Sequence, residues 1–590
     1  MGLVLTALAV AVRLVWVLVV PTRPVGDFAM YLESARYLVE HHHLDPEFIY
    51  MPGYVYLAAV IYALGGGLLA IKMIGVAAGG LATAAVYGTA RALFSRGAAI
   101  AAGLLCAFWP AGIAISSVTG TDMPAAALLG LAVWLLARHA ADRPVAAPIL
   151  FGLGMGLASY VRAVALPLTA LAGLTFRARG ARWAHVATRT ALACLVAFLV
   201  LLPWGVRNRH LYGEFFLTDS HGGHTALVGA NPNSEGTYSR SLNRLFDEGT
   251  GYALFSSPHR ESDRVAYALA KQWTAFSPGY ALGLLAAKAD RLLGRERSLL
   301  YWPLYRQSVL PPGGWFDIQR AAIERVVDGS WAFFVGAIAL GIVAAAARRN
   351  WAALALLPLP LALIGLYTLY FAEVRYQLAI VVLLLPFAGE GLGWLASALR
   401  ALIRPPREGA RRRVVLEAGV AAAALSLLFV CWPRLVAAGE GLRARDRWGV
   451  CVCRVDGGKR LCDVRGTDPP PGTAPSPVRG VWDGFGLSLA GARAAAAFEV
   501  ELPPGRYEIS LTVETASPGQ NATIDLSADG VTLAQAAWPT DSQPITLRGV
   551  AQSNGEKLRV GLSAARGNSS GTDGGATIWI SAIEVEQDRG

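Results

Sequence analysis

The sequence predicts a polytopic α-helical membrane protein, of about eleven transmembrane helices, that ends in a β-sandwich. Three observations lead there. The chain of 590 residues is 54% hydrophobic and only 16% charged, against about 25% charged residues in an ordinary soluble domain. The apolar residues fall in blocks from residue 2 to about 433 and then stop. After residue 440 the texture changes to short alternating runs separated by turn residues.

A span needs about 20 mostly apolar residues. Gly2–Val20 comes first; it has no basic leading region and no small-residue cleavage site, so it reads as a retained span rather than a signal peptide. Further spans are expected near 68–90, 97–115, 124–138, 146–160, 163–176, 187–204, 331–347, 351–370, 377–398 and 414–432. The apolar stretch 53–66 is short and reads as an embedded helix leading into the second span. Arg91 and Arg96, Arg138 and Arg143, Arg177 to Arg189, Arg348 and Arg349, and Arg400 to Arg413 fall in alternate loops, which the positive-inside rule places in the cytoplasm. Loops 21–52, 116–123, 205–330 and 371–376 then face outward. An odd number of spans puts the C-terminal domain outside as well, in the periplasm of a bacterial inner membrane protein. The formal charge of +11 would suggest nucleic acid in a soluble protein; here the arginines sit between apolar blocks, and no nucleic acid is expected.

The predicted organisation is a membrane domain over 1–435, a linker over 436–480 and the sandwich over 481–590. Loop 205–330 is too long to be a mere connector and reads as a lid or wall of a site, with helical stretches near 261–276 and 280–294. "TDPPPGTAPSP" (467–477) is a Pro-rich linker segment. Beyond it "AAAAFEVEL", "RYEISLTVE", "ATIDLSA", "KLRVGLSA" and "ATIWISAIEVE" read as strands of an antiparallel sandwich. Cys106, Cys194 and Cys431 lie in apolar segments and read as packing residues. Outside the cytoplasm Cys462 could pair with Cys451 or Cys453; their spacing lacks a fourth ligand for zinc.

Every distinctive polar motif maps to the outward side. Polar groups at membrane depth are costly and tend to be functional. Asp27 opens an amphipathic helix over 28–40, in "PVGDFAMYLESARYL", and as a plain structural element it would be an N-cap. Asp122, in "TGTDMPAA", stands likewise at an outward helix start. Arg162 lies between two apolar stretches, Arg207 at a span end, and Arg375 beside Glu373 in "YFAEVRYQLAIV", where an ion pair with Glu373 is the simple reading. Three outward arginines also suit a phosphate, which arginine grips through bidentate, charge-assisted bonds. No Walker A loop or dinucleotide fingerprint accompanies them, which argues against a nucleotide donor. The aromatic stripe "YMPGYVYLAAVIYALGG" (50–66) is either an interfacial belt or a groove wall for a lipid tail. His221 and His224 could bind a metal only with a third ligand that is not evident, and His41, His42 and His43 read as a solvated helix end. Tyr31, Tyr54, His221, His224, Asn231, Glu373 and Tyr376 complete the expected substrate groove.

Taken together, "DFAMYLESARYL", "MPGYVYLAAVIYALGG", "LPWGVRNRHLYGEFFLTDSHGGHTALVGANPNSEGTY" and "EVRYQLAIVVLLLPFAG" resemble the outer loops of C-type superfamily membrane glycosyltransferases, in the bacterial branch related to protein mannosyltransferases and lipid A aminoarabinose transferases. The resemblance covers about residues 1–400 and implies the C-type glycosyltransferase fold and a polyprenyl phosphate sugar donor. By position, Asp27 matches the first-loop aspartate implicated in catalysis, Asp122 an acidic residue of the second outer loop, and Arg162 a basic residue proposed to contact the lipid phosphate. Arg207 and Arg375 match more loosely. The C-terminal sandwich lies outside the family core and resembles carbohydrate-binding jelly-roll modules.

The implied reaction passes a sugar from the lipid to an acceptor hydroxyl on a glycan, lipid or protein. Asp27 would serve as general base, and the arginines would hold the phosphate. Some C-type enzymes use a metal held by an acidic pair; Asp27 has no Asp or Glu two residues away, so no metal and no cofactor are expected. Two other classes compete. A flippase or transporter of lipid-linked glycans would be expected to show paired repeats and broken helices near mid-membrane. A membrane-anchored carbohydrate-binding protein would not need the loop motifs of 205–240.

Overall fold

The computed structural model describes residues 1–231, scattered positions between 234 and 255, residues 259–403 apart from 277 and 311–313, residues 431–442, and ten strands between 452 and 587. The expected span 414–432 and the Pro-rich segment 467–477 lie wholly or almost wholly outside the described residues. The chain divides into two units, Met1–Gly222 with Lys288–Val436, and Gly223–Ala287 with Ala437–Gly590.

The first unit is a helical membrane body. Among the described residues six helices are long and apolar enough to cross a bilayer: Gly2–Val19, Leu68–Leu93, Trp183–Tyr212, Arg320–Ala347, Trp351–Leu369 and Val374–Arg400. Arg96–Ala107 and Pro110–Ser117 are bent 49° against each other and add a seventh if they form one span. Of the remaining expected spans, 146–160 and 163–176 are apolar helices under 18 residues long. The expected span 124–138 lies within helix Asp122–His139. The chain is thus a multi-pass membrane protein.

The break at Phe108 and Trp109 has a local cause. Pro110 cannot donate a backbone hydrogen bond, and carbonyls at the end of the preceding helix need other partners. Arg13, fully buried in the first span, supplies them: its guanidinium donates to the carbonyls of Cys106 at 3.0 Å and Ala107 at 3.1 Å. The carbonyls that a neighbouring helix has released thus take up two donors of a cation inside an apolar span. Elsewhere the spans meet through small residues. Gly341 of Arg320–Ala347 lies directly against the backbone of Phe387 and Gly391, where a Cβ would have no room.

The loop after the first span is stapled on several sides. Thr22 donates from Oγ1 to the Ser117 carbonyl at 2.6 Å, and its own carbonyl accepts from Lys72 Nζ at 2.9 Å. It also bridges to Ser308, and the Arg23 N–H donates to the Gln307 carbonyl at 2.7 Å. Helix Asp27–His41 follows and ends on an exposed His41–His43 run, with His42 in the left-handed region at φ 61°. Helix Gly53–Ala63 is the short apolar element expected before the second span.

The second unit carries helix His259–Phe276 and the part of helix Pro278–Leu293 up to Ala287; the two helices lie close to the stretches expected at 261–276 and 280–294. Its ten strands are β1 Val452–Asp456, β2 Lys459–Asp463, β3 Gly486–Leu489, β4 Arg493–Glu501, β5 Gly505–Thr515, β6 Ala522–Ala528, β7 Val531–Ala537, β8 Ile545–Ser553, β9 Lys557–Arg566 and β10 Ala576–Gln587. They form a six-stranded sheet, β1-β2-β10-β5-β8 with β3 also on β10, and a four-stranded sheet, β4-β9-β6-β7. Five of these strands carry the alternating runs read from the sequence. In the β1–β2 hairpin Cys453 and Cys462 occupy directly opposed register positions.

Candidate active site

Four charged side chains from four separate segments converge in the first unit. Asp27 and Asp122 each stand at the first position of a helix, Asp27–His41 and Asp122–His139. Arg162 follows helix Ala146–Val161 in extended conformation, and Arg375 lies in the short turn Val374–Tyr376 that opens the last described span. Arg162 Nη2 is 2.6 Å from Asp122 Oδ1, and Arg375 Nη2 is 2.8 Å from Asp27 Oδ2. Arg375 Nη1 also reaches Asp122 Oδ2 at 3.8 Å. One guanidinium is therefore shared by both carboxylates. The other adds a bond from Nε to Thr121 Oγ1 at 3.3 Å.

The capping expectation for the two aspartates gives way here. The N-caps are Gly26 and Thr121, and neither helix start has a side-chain capping bond. Backbone N–H groups at a helix start favour a carboxylate, yet these two turn to arginines. Gly26 makes the Asp27 turn possible: its φ of 59° is a backbone conformation that side-chain-bearing residues rarely adopt. The side chains of Asp122, Arg375, Arg162 and Asp27 are 5%, 12%, 18% and 23% exposed, respectively. Asp27 is the most open of the four.

Aromatic rings fix both guanidinium planes. Arg162 lies 4.2 Å over the Tyr376 ring, which itself stacks on Tyr367 at 4.6 Å. Arg375 is flanked by Phe28 at 4.9 Å and Trp302 at 5.3 Å, and these two rings meet edge to face at 4.9 Å. Cation–π contacts of this kind contribute about 0.5–2 kcal/mol each, more as the cation loses water. Gly120 lets the turn bearing Asp122 approach Phe28, since a Cβ there would lie 2.9 Å from the Phe28 ring.

Tyr31 forms a wall on the Asp27 side, with Phe48 at 6.0 Å, Tyr50 at 5.5 Å and Tyr54 at 5.8 Å. Burial first, and then the Asp27 carboxylate, push the Tyr31 and Tyr50 phenols above their ordinary values, so both stay neutral donors. His221 stands at the edge of this wall, 4.5 Å from the Tyr50 ring and 3.4 Å from Asp219.

The structure thus brings together Asp27, Asp122, Arg162, Arg375 and Tyr376, with Tyr31, Tyr54 and His221 in the adjoining wall. Glu373 lies two residues from Arg375, whose short ion pairs go to the aspartates; the Glu373 carbonyl accepts the Tyr376 N–H at 3.0 Å. Arg207 is engaged elsewhere, donating to the Asp45 carbonyl at 3.1 Å and lying 4.5 Å over Trp204. His224 and Asn231 are in the second unit. His224 Nε2 is 2.8 Å from Ser262 Oγ, and Asn231 donates to the Leu227 carbonyl at 2.8 Å. Sequence reasoning missed Phe28, Thr121, Trp302 and Tyr367.

Residues 49–206 match the family described as dolichyl-phosphate-mannose-protein mannosyltransferase. The resemblance read from the loop motifs, to C-type membrane glycosyltransferases, is thereby found a second time by an independent comparison. No curated protein matches the sequence. Among solved structures, the Archaeoglobus fulgidus oligosaccharyltransferase in its apo form is similar at 17% identity and a TM-score of 0.42, over 75% of this chain and 56% of its own. This chain therefore spans a little over half the length of that relative. ArnT from Cupriavidus metallidurans bound to undecaprenyl phosphate is similar at 16% identity and a TM-score of 0.38, over 75% of both chains. The arabinosyltransferase EmbB from Mycobacterium smegmatis is similar at 12% identity and a TM-score of 0.26, over 99% of this chain and 64% of its own.

Proposed function

We propose that the protein transfers a sugar from a polyprenyl phosphate sugar to an acceptor hydroxyl on a glycan, lipid or protein, at the periplasmic face of the inner membrane. The observation that carries this reading is the convergence of two carboxylates and two ring-backed guanidinium groups, with one arginine shared between the carboxylates. The family match over residues 49–206 supports the same general chemistry.

The donor's phosphate engages Arg162 and Arg375, which present parallel N–H groups to its oxygens. As Arg375 turns to the phosphate it relaxes its hold on Asp27, the most exposed of the four. Asp27 then accepts the acceptor's hydroxyl proton as that oxygen attacks the anomeric carbon. The bond from that carbon to the phosphate oxygen breaks, its electron pair stays on the phosphate, and the guanidinium groups stabilise the added charge. A single direct displacement inverts the anomeric centre. Asp122 keeps Arg162 in place, and the aromatic wall of Tyr31, Tyr50 and Tyr54 lies where the sugar and acceptor would meet Asp27. Arg207, at its own contacts with Asp45 and Trp204, would act from the groove's edge. The sheets of the second unit are proposed to bind carbohydrate.

The test is native mass spectrometry of the purified protein with a panel of polyprenyl phosphate sugars. One donor should bind and be lost on Arg162→Ala, while Asp27→Asn should bind it and fail to turn it over. Binding of none by the folded protein would remove the transferase reading.

A further inference from the structure

Residues 296–310 run along the active site as a strap. Glu296 begins it, in the 3-10 turn Glu296–Leu300. Trp302, six residues on, packs on Phe28 and Arg375. The far end is tied to the loop that carries Asp27: the Gln307 carbonyl accepts from the Arg23 N–H at 2.7 Å, Ser308 bridges to Thr22, and the Val309 N–H donates to the Pro21 carbonyl at 3.3 Å. The near end is held from below. Trp109, fully buried at the break between Arg96–Ala107 and Pro110–Ser117, donates from Nε1 to Glu296 Oε1 at 2.6 Å.

The carboxyl of Glu296 is wholly buried, and its Oε2 meets no hydrogen-bond partner among the described residues. No cation faces it. Segments 110–114 and 115–117 carry no charge, 301–306 carries only Arg306, and 374–376 carries Arg375, which is committed to the two aspartates. From helix Arg320–Ala347 the group that acts on it is Asp328, a like charge, itself held by Arg297 at 3.4 Å. A carboxylate in this position would be buried with one donor and no counter-charge, whereas the neutral acid fits.

We propose that Glu296 is a positioning residue for the reaction, a neutral pin that locks the strap to Trp109 and so holds Trp302 against Arg375 at the site. This rests on the transferase reading for its consequence, not for its geometry. Burial is the main cause that raises the carboxyl to about 8, with Asp328 adding to it and the Trp109 bond opposing. Released from the fold, the same group ionises near the usual value of about 4.3. The sign follows from linkage. The open strap binds fewer protons, so opening becomes easier as pH rises from the ordinary carboxylate range to about 8, and then levels off.

Hydrogen exchange of the 296–310 backbone reads this directly, with rates corrected for intrinsic chemistry. In the wild-type protein protection should fall about tenfold per pH unit between pH 5.5 and 7.5. Glu296→Gln, which keeps the shape and stays neutral, should remove that slope. Trp109→Phe should lower protection at every pH. A flat wild-type profile, or the same slope in Glu296→Gln, would overturn the proposal; if Glu296→Gln does not fold, the wild-type slope alone decides. Binding of undecaprenyl phosphate is measured in parallel. If neither protein binds it, the transferase reading fails while the exchange result still decides the role of Glu296.

Discussion

Removing the Arg162 guanidinium separates two roles that the geometry merges. In Arg162→Ala, Asp122 loses its 2.6 Å partner at a side chain only 5% exposed. Breaking one side of a buried pair costs about 3–5 kcal/mol. Arg162 is 18% exposed and Arg375 Nη1 is already 3.8 Å from the same carboxylate, so part of the loss is recovered. We expect a loss of about 2–3 kcal/mol in stability, just below that range. For the lipid, one lost charge-assisted contact is worth about 1.5–3 kcal/mol, or roughly 10- to 150-fold in affinity. The double variant Asp122→Asn with Arg162→Ala removes the stranded carboxylate. Thermal unfolding in detergent should then recover much of the stability, while native mass spectrometry should show undecaprenyl phosphate binding still weakened. If binding returns together with stability, Arg162 serves only to neutralise Asp122, and the phosphate role assigned to it is wrong.

Asp27→Asn should lower turnover by about 10²–10⁴-fold, the range of a general base, and leave donor binding in place; equal loss of both would make Asp27 a binding group. Gly120→Ala should destabilise by about 1–3 kcal/mol as an overpacking change, because the new Cβ meets a Phe28 ring pinned by Trp302 and Arg375. An unchanged unfolding midpoint would mean that ring is free to yield. Under oxidising conditions, peptide mapping should find Cys462 joined to Cys453, its opposed register partner, rather than to Cys451.

Much of the site was legible because charge is costly where it stands. Asp27, Asp122, Arg162 and Arg375 each interrupt or border an apolar stretch, and the structure gathers all four. Their partners were less legible. Capping is a local rule and predicts local bonds, but here ion pairs across 253 positions (Asp122 to Arg375) and 348 positions (Asp27 to Arg375) win over the helix start. Arg207 has the same local signature as Arg162, an arginine at a span end, yet a backbone carbonyl and one ring satisfy it. Phe28 and Trp302 gave no signal, since aromatic residues are common at membrane borders whatever they touch. Glu296 gave none either: in "LLGRERSLLYW" it stands between Arg295 and Arg297, which reads locally as a solvated charge run, and only the fold buries it against Trp109. The helices were readable from their apolar length and the break from Pro110, whereas the group that meets the freed carbonyls, Arg13, lies more than 90 residues earlier.

The quartet of Asp27, Asp122, Arg162 and Arg375 is formally neutral, two charges against two. On the proposed reaction the donor arrives as a phosphodiester with one negative charge and leaves as a phosphate monoester with about 1.5 to 2. The same two guanidinium groups thus face a more strongly charged lipid after transfer than before it. What speeds departure of the sugar also holds back departure of the carrier. Turnover would then be limited by lipid exchange with the bilayer, and spent carrier would accumulate as an inhibitor of its own enzyme.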